Sequence, residues 1–380
     1  MYDARIYERT CRALVRIGHR VTLIITHDKA ETLNGVEILP IPERRGLRRR
    51  ILSCWDALRL ARRVKADVYH FHDPDLLPWM VLLAWQGRPV IYDKHENHVV
   101  RFHMWGLPGW MARLAGGMYT AIECWCIAQF AGVVAVSDSI LAMSDGVRRD
   151  GVLVQNVPDI KRLVDVEVPE VKPLPPTVYT SGTHSDDRHC RQTIQAMPEV
   201  LAKHPDTVFA FVGRYEPAGY DQVLRELARH LSVEQNLCLE GMLPWKDNFM
   251  RLMNAHIGCV FYEDNVNNRV TIPNRIFEYM FCGVAVLAQD FPELVKILND
   301  TQAGLVVDTS RPGDIAQAII TLLDDPSRRQ AMGTRGRQTV LETYNLNRQV
   351  LNLLQLYNRV LRASQMQNTM RDEMNHGSRL

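Results

Sequence analysis

The chain has 380 residues, of which 46% are apolar and 23% are charged, and its formal net charge is +2. These fractions exclude an intrinsically disordered or fibrous protein, and the small net charge excludes strong overall attraction to nucleic acid. No apolar stretch is long enough to cross a membrane, and the amino terminus lacks the apolar segment of a signal peptide. A chain of this length predicts two domains.

The eight cysteines are scattered along the chain, and none of them forms a CxxC pair. This pattern is typical of reduced thiols in a cytosolic protein. We therefore expect neither a disulfide framework nor a metal site built from cysteine.

Short valine-rich segments alternate with helical segments along the whole chain. In the first half the predicted strands are 21–25, 36–39, 68–72, 90–93, 133–136 and 152–155. In the second half they are 177–182, 208–213, 237–241, 258–263, 284–289 and 303–308. This alternation indicates parallel sheets covered by helices on both faces, so we predict the α/β class with two doubly wound domains.

The two domains are separated by a proline-rich segment. Residues 158–176 contain five prolines and no helical period, which predicts an extended linker. The domains are then 1–157 and 177–345. An amphipathic helix is predicted over 346–363, and the polar tail 364–380 is predicted to be disordered.

In sheets of this kind ligands bind beyond the carboxyl ends of the strands, so polar residues there are candidates for function. The first domain has, after two predicted strands, His72, Asp73 and Asp75, and then Asp93, His95 and Glu96. Asp75 fits the role of a cap for the following helix. His95 lies in a loop beyond a buried strand, where it is either an ordinary loop residue or a functional one.

In the second domain, Gly182 ends a predicted strand and Arg188 follows near the start of a helix. Gly182 allows a tight turn, and a helix start with a guanidinium group is a plausible phosphate site. An ordinary surface loop explains the same two residues.

A short helix is predicted between Pro273 and Cys282, because proline suits its start and Gly283 suits the residue after its end. Asn274 and Arg275 lie at its amino terminus, where they could meet phosphate groups. Glu278 lies inside it among apolar residues and needs a partner, because burying a lone carboxylate is costly. A ribose diol is one such partner, and a nearby arginine or backbone amide is the alternative.

Residues 43–63 contain eight arginines against two acidic residues. On a helix, an apolar stripe of Leu47, Ile51, Trp55 and Leu58 lies between the arginines. The stripe either covers the domain's own sheet or, with the arginines, attracts the helix to anionic lipid headgroups. A second apolar segment contains Trp105, Leu107, Pro108, Trp110 and Met111. No pattern of nucleic-acid recognition is present.

Seven segments resemble, in the same order, the landmark motifs of the family 4 glycosyltransferases. They read YDARIYERTCRALVRIGHRVTLI, ADVYHFHDPDLLP, VIYDKHE, VVAVSDSI, VQNVPD, PNRIFEYMFCGVAVLAQDFPE and ETYNLNRQVLNLLQLYNRVL. The resemblance covers nearly the whole chain and implies the GT-B fold, in which two Rossmann-like domains face each other across a cleft. It places the acceptor side in 1–157, to which helix 346–363 returns, and nucleotide-sugar binding in 177–345.

The resemblance implies a retaining, metal-independent transferase without a cofactor. It would move a sugar from a nucleotide diphosphate donor to a saccharide or lipid-linked acceptor in the synthesis of polysaccharides or glycoconjugates. Such an enzyme is expected in the cytoplasm, at the inner membrane face if residues 43–63 bind lipid.

By position in the family motifs, Glu278 is expected to bond the donor ribose. Asn274 and Arg275 are expected near the diphosphate and sugar, with Gly182 and Arg188 flanking the diphosphate. Arg188 and the helix amides would then stabilise the charge of the leaving group.

The resemblance also places His95 on the acceptor side, near the reacting carbon. We therefore treat His95, together with Arg188 and Glu278, as the candidate catalytic residues.

Three features depart from the family pattern. The family has a strand and a glycine-containing loop before the first helix, and this chain starts almost at that helix, so we expect the first sheet to lack its first strand. Val270 stands where the family often has a glutamate. His189 follows Arg188 where the family commonly has glycine or lysine, and it is a weaker cation at neutral pH.

Two other functions are compatible with these departures. A non-catalytic GT-B protein would bind a nucleotide sugar or act as a scaffold. A nucleotide-sugar 2-epimerase would need neither an acceptor pocket nor a membrane-facing helix.

Overall fold

The computed structural model describes residues 4–44, 48–99, 102, 108–144, 147, 150–158, 172 and 175–377. The chain divides into two compact units. Unit 1 comprises residues 1–155 and 346–380, and unit 2 comprises residues 156–345.

Unit 1 contains two separate sheets among its described residues. The first has the order β1-β3-β2, with β1 (Val21–Thr26) parallel to β3 (Val36–Ile41) and β2 (Glu31–Leu33) antiparallel to β3. The second is fully parallel and consists of β4 (Tyr69–Phe71), β5 (Val90–Lys94), β6 (Gly132–Ala135) and β7 (Gly151–Leu153). No described residue of β1 pairs with β4, so the strands of unit 1 do not form one continuous sheet.

The helices of unit 1 lie between and after these strands. A π-helical segment, Ala4–Cys11, leads into α1 (Arg12–Arg16). The others are α2 (Arg48–Arg63), α3 (Leu77–Ala84), α4 (Gly109–Gln129), α5 (Asp138–Ala142) and α13 (Leu346–Gly377). None of the helices in the described residues is both long enough and apolar enough to span a bilayer.

Helix α2 buries a different face from the predicted one. Its buried side chains include Cys54 and Leu58, whereas Ile51 and Trp55 of the predicted stripe are exposed. Of the predicted stripe, Leu58 thus packs inside the unit, and the alternative in which the whole stripe covers the sheet does not hold. Small residues let the helix approach the core on one face, and its larger apolar side chains remain on the outside. Leu47 lies outside the described residues.

Helix α13 completes the core of unit 1. Leu353 and Leu356 pack with Ile91 of β5 and Val134 of β6 in one buried cluster. The last segment of the chain therefore covers the sheet formed by its first half.

The tail predicted to be disordered continues as helix. Helix α13 runs to Gly377 instead of ending at residue 363. Residues 364–376 are rich in glutamine, methionine and other good helix formers and contain neither proline nor glycine. Low hydropathy was therefore not a reason to expect the helix to stop.

Unit 2 contains one six-stranded sheet in which every described pair is parallel. Its strands are β8 (Thr177–His184), β9 (Val208–Tyr215), β10 (Leu237–Glu240), β11 (Ile257–Val260), β12 (Ala285–Gln289) and β13 (Gly304–Val307). The order is β10-β9-β8-β11-β12-β13, so the chain reverses direction across the sheet next to β8. Ligands bind at such reversal points, beyond the carboxyl ends of the strands.

Helices cover both faces of this sheet. They are α6 (Cys190–Lys203), α7 (Tyr220–His230), α8 (Trp245–Met253), α9 (Asn274–Phe281), α10 (Pro292–Thr301), α11 (Pro312–Asp324) and α12 (Pro326–Glu342). Alternate strand residues belong to two separate apolar clusters, one packed against α6, α7 and α11 and the other against α8, α9 and α10. This is the arrangement that the valine-rich runs predict.

A buried ion pair links β5 to α4 in unit 1. Lys94 Nζ donates to Glu123 Oε2 at 2.6 Å, and the two side chains are 4% and 5% exposed. The hydroxyl groups of Tyr92 and Tyr119 lie 3.4 Å from Glu123 Oε1. The charges are therefore removed from water and depend on each other.

We expect Glu123→Ala to lower the free energy of unfolding by roughly 3–5 kcal/mol, because it leaves the Lys94 ammonium buried without its partner. Urea unfolding measures this loss. The double variant Lys94→Met/Glu123→Leu should recover most of it. Lys29→Ala is the control, because the pair of this exposed lysine with Glu31 should contribute less than about 1 kcal/mol. A single-variant loss no larger than that of the control would contradict the prediction.

Candidate functional site

Gly182 and Gly213 face each other in register near the carboxyl ends of β8 and β9. Both have positive φ, +105° and +149°, which favours glycine. A Cβ on Gly213 would lie 1.8 Å from the carbonyl oxygen of Gly182, and one on Gly182 would lie 2.7 Å from Nη2 of Arg275. Gly182 is thus inside the strand rather than in the predicted tight turn, and its missing side chain makes room for a guanidinium group.

Helix α9 brings three of the predicted residues to the same place. It starts at Asn274 after Pro273, ends at Phe281, and is followed by Gly283 with φ +64°, as the sequence predicts. Its apolar residues are fully buried, whereas Asn274, Arg275 and Glu278 are only partly buried. The amphipathic character of this short helix therefore directs its polar residues to one side.

These polar residues line a cavity of about 550 Å³ that lies wholly within unit 2. The cavity is lined by Asn156, Ser181, Gly182, Thr183, Val212, Gly213, Arg214, Met242, Leu243, Trp245, Asn248, Tyr262, Ile272, Pro273, Asn274, Arg275 and Glu278. Four of the predicted site residues are thus together: Gly182, Asn274, Arg275 and Glu278. Oδ1 of Asn274 is buried and has no hydrogen-bond partner among the described residues.

Arg188 is not among the residues that line the cavity, but it contacts one of them. It ends a short 3₁₀ turn, Asp186–Arg188, and its guanidinium carbon is 3.8 Å from the centre of the Tyr262 ring. The guanidinium carbon of Arg275 is 5.4 Å from the centre of the same ring. Two positive charges therefore flank one aromatic side chain of the cavity wall.

His189 does not add a third charge. It has φ +50°, and its Nδ1 lies 2.5 Å from Oγ1 of Thr309. Burial lowers the pKa of His189 below its ordinary value, so the ring is neutral at neutral pH.

His95 belongs to unit 1, where it follows β5 in a cluster of polar groups. Its Nδ1 is 3.2 Å from Oδ1 of Asp93, and its Nε2 is 3.1 Å from Nδ1 of His72. The His72 and His95 rings are stacked, with centres 5.2 Å apart. Both nitrogens of His95 therefore face other side chains of the cluster.

The nearby cap differs from the predicted one. The carboxylate of Asp73, not that of Asp75, caps the turn Pro74–Leu76 by accepting from the Asp75 amide at 3.0 Å. The Asp75 carboxylate lies 3.3 Å from Nε of Arg50. Asp73 is the cap because its own backbone is extended, as the residue before a helical turn requires.

Two family models match successive parts of the chain. The first, Glycosyltransferase Family 4, matches residues 4–150, and the second, Glycosyl transferases group 1, matches residues 166–339. The chain belongs to the family 4 glycosyltransferases.

Among curated relatives, the chain is 35% identical over 152 residues to a protein of Corynebacterium glutamicum named GDP-mannose-dependent monoacylated alpha-(1-6)-phosphatidylinositol monomannoside mannosyltransferase. That match covers 39% of this chain and 38% of the relative. It is 24% identical over 279 residues to the phosphatidyl-myo-inositol mannosyltransferase of Mycolicibacterium smegmatis, covering 72% of this chain and 66% of the relative. The matches thus span less than two thirds of either relative.

The fold of the chain is similar to that of solved structures. A glycosyltransferase from Rickettsia africae superposes with a TM-score of 0.71 at 15% identity, covering 94% of each chain. With two α/β units built on parallel sheets, the GT-B fold that the sequence predicts is confirmed.

Sequence reasoning missed part of the cavity wall of unit 2. Tyr262 lies two residues beyond β11, so the strand-end rule applied to Gly182 would also have pointed to it. Trp245 and Asn248 lie on α8 and face the cavity only because β10 and β11 place that helix beside β8. No sequence signal marks those two residues.

Gly213→Ala is expected to lower the free energy of unfolding by more than about 1 kcal/mol, because the new methyl group meets backbone at a φ that favours glycine. Urea unfolding tests this. Gly241→Ala is the matched control, since a Cβ there meets no atom within 4 Å. Equal stability of the two variants would show that the strands separate without cost.

Proposed function

We propose that the chain is a retaining glycosyltransferase that binds a nucleoside diphosphate sugar in the unit 2 cavity and transfers the sugar to a saccharide or lipid-linked acceptor. The observation that carries this proposal is the convergence of Gly182, Asn274, Arg275 and Glu278 on one cavity. The two curated relatives make GDP-mannose the first donor to test and a phosphatidylinositol-linked mannoside the first acceptor.

The polar groups of the cavity suit the parts of such a donor. The Glu278 carboxylate accepts hydrogen bonds from a ribose diol, and Oδ1 of Asn274 accepts one from a sugar hydroxyl. Arg275, supported by Arg188 across the Tyr262 ring, stabilises the negative charge that develops on the leaving diphosphate. With these guanidinium groups in place, the transfer step is proposed to need no metal ion.

Retention is proposed on the basis of the acidic residues that line the cavity. Among the described residues that line the cavity, Glu278 is the one carboxylate, and it is engaged by the ribose in this proposal. The acceptor oxygen then attacks the anomeric carbon on the face from which the diphosphate leaves. The bond from carbon to the phosphate oxygen breaks, the bond to the acceptor oxygen forms, and the acceptor proton passes to the departing phosphate.

The acceptor side is assigned to unit 1, where His95 follows β5. Since both of its ring nitrogens lie next to Asp93 and His72, these two residues fix the orientation in which His95 meets the acceptor. His95 is proposed to act as a positioned contact rather than as a free base.

Unit 1 is also proposed to bind the surface of an anionic membrane at its cytoplasmic face. Helix α4 exposes a row of apolar side chains at helical spacing: Trp110, Leu114, Met118, Ile122 and Trp125. Arg113 is the one charged residue on that exposed face, and no acidic residue interrupts it. Such a face inserts into the headgroup region.

Helix α2 adds the positive charge. Arg50, Arg59, Arg62 and Arg63 are exposed together with Ile51, Leu52 and Trp55. Helix α3 contacts both α2 and α4, so the three helices form one layer. Of the second apolar segment predicted from the sequence, Trp110 and Met111 are exposed, and Trp105 and Leu107 lie outside the described residues.

Glu278→Gln tests the donor site. Loss of a hydrogen bond to a charged group costs roughly 1.5–3 kcal/mol, so kcat/KM for GDP-mannose should fall about 10- to 100-fold. Transfer of labelled mannose to lipid acceptors in vesicles measures it, and the anomeric configuration of the product reports retention. Glu226→Gln, on the outer side of α7, should be unchanged.

Three outcomes of this experiment contradict parts of the proposal. Equal activity of Glu278→Gln and wild type removes the ribose assignment. Rates that rise on addition of Mg²⁺ or Mn²⁺ overturn the metal-independent step. Binding of GDP without transfer to any acceptor favours the scaffold function instead.

Leu114→Gln/Ile122→Gln tests the membrane surface. The variant replaces two large apolar side chains by polar ones that do not enter the lipid. Its partitioning into vesicles of phosphatidylglycerol should therefore fall by at least about tenfold. Sedimentation with sucrose-loaded vesicles measures the partitioning. Leu351→Gln, an exposed leucine on α13, is the control and should behave as wild type. Equal partitioning of all three proteins would exclude α4 from the membrane contact.

A further inference from the structure

The carboxyl ends of β4 and β5 in unit 1 bring two histidines and a carboxylate together. His70 lies on β4, His72 directly follows the last residue of that strand, and the two imidazole rings are stacked with centres 4.8 Å apart. Asp93 lies on the neighbouring strand, one residue beyond Tyr92, which pairs with Phe71. The Asp93 side chain is 4% exposed, and the two imidazoles are 11% and 17% exposed.

Two of the distances within this group are close to those between neighbouring ligands of a metal ion. Oδ2 of Asp93 lies 3.1 Å from Nδ1 of His72 and 3.6 Å from Nε2 of His70, and the three ligand atoms lie within 4.8 Å of one another. Tetrahedral coordination with bonds near 2.0–2.1 Å places neighbouring ligand atoms about 3.3 Å apart. The two observed contacts lie on either side of that value.

Hydrogen bonds within the group leave Nδ1 of His72 shared between two partners. Nδ1 of His72 lies 3.1 Å both from Oδ2 of Asp93 and from Nε2 of His95. A single proton on that nitrogen can be donated well to only one of the two. A divalent cation between them attracts the carboxylate and the nitrogen lone pairs at the same time, and Nε2 of His95 can then complete the set of ligands.

A further residue holds the first histidine in the required orientation. Nδ1 of His70 lies 2.7 Å from the hydroxyl group of Tyr357 on α13. With its proton on Nδ1, His70 donates to that oxygen and directs the lone pair of Nε2 toward Asp93. Metal-binding histidines are commonly oriented through their second nitrogen in this way.

We propose that His70, His72 and Asp93 bind a first-row transition metal ion, of which Zn²⁺ fits the nitrogen and oxygen donors best. The ion joins β4 to β5 and, through Tyr357, to α13. It lies in unit 1 and takes no part in the donor chemistry proposed for the cavity of unit 2, so loss of metal binding and loss of donor binding are separate outcomes. The site shares Asp93 and His72 with the proposed positioning of His95.

Titration of the untagged, metal-depleted full chain with Co²⁺ tests this site. Visible absorption should show one Co²⁺ per chain with nitrogen and oxygen ligands and without thiolate charge-transfer bands. His72→Asn and Asp93→Asn should each weaken binding at least 100-fold, and Tyr357→Phe about tenfold. His204→Asn, in unit 2, should bind Co²⁺ as wild type does.

A second measurement protects the test against variants that do not fold. Zn²⁺ should raise the thermal midpoint of the wild-type chain and of His204→Asn, whereas folded Asp93→Asn should show no shift. Failure of the folded wild-type chain to bind Co²⁺ stoichiometrically would overturn the proposal. Binding that persists unchanged in His72→Asn and Asp93→Asn would overturn it as well.

Discussion

The close approach of two backbones at Gly182 and Gly213 is the constraint on which the unit 2 cavity depends. Because neither residue has a side chain, the strand ends stay paired and the guanidinium group of Arg275 lies against Gly182. That position sets Arg275 beside Tyr262, which in turn contacts Arg188. Two positive charges near one ring repel each other, and an anionic ligand reduces that repulsion while it binds. The positions of these two charges thus depend on two missing side chains.

The sequence allowed the architecture of unit 2 to be predicted well, because alternation of strands and helices reports the class of fold directly. Helix α9 was also predictable, since Pro273 and Gly283 mark its limits. The buried face of α2 was not predictable, because a periodic apolar stripe does not specify whether another element covers it. Ile51 of that stripe is exposed. Residues such as Trp245 reach the cavity through the packing of whole elements. Their positions depend on many residues along the chain and not on a local sequence motif.

Unit 1 combines two features with opposite physical demands. The outer face of α4 carries apolar groups in contact with water, which raises the free energy of the isolated chain. The polar cluster around Asp93 instead places a carboxylate and imidazoles where little water reaches them. The sequence marked His72, Asp93 and His95 but not His70, because His70 lies within a predicted strand. Only the pairing of β4 with β5 shows that these residues form one group.

The position of α13 in unit 1 has a consequence for synthesis of the chain. Unit 2 is continuous in sequence, whereas the core of unit 1 needs Leu353 and Leu356 from the end of the chain to cover Ile91 and Val134. Domains usually fold in the order in which the ribosome releases them. Here the first half emerges early and must wait, with apolar surface uncovered, until the last helix is released. The inserted unit can fold before the one that surrounds it, so unit 1 is the part whose apolar surface stays exposed longer during translation.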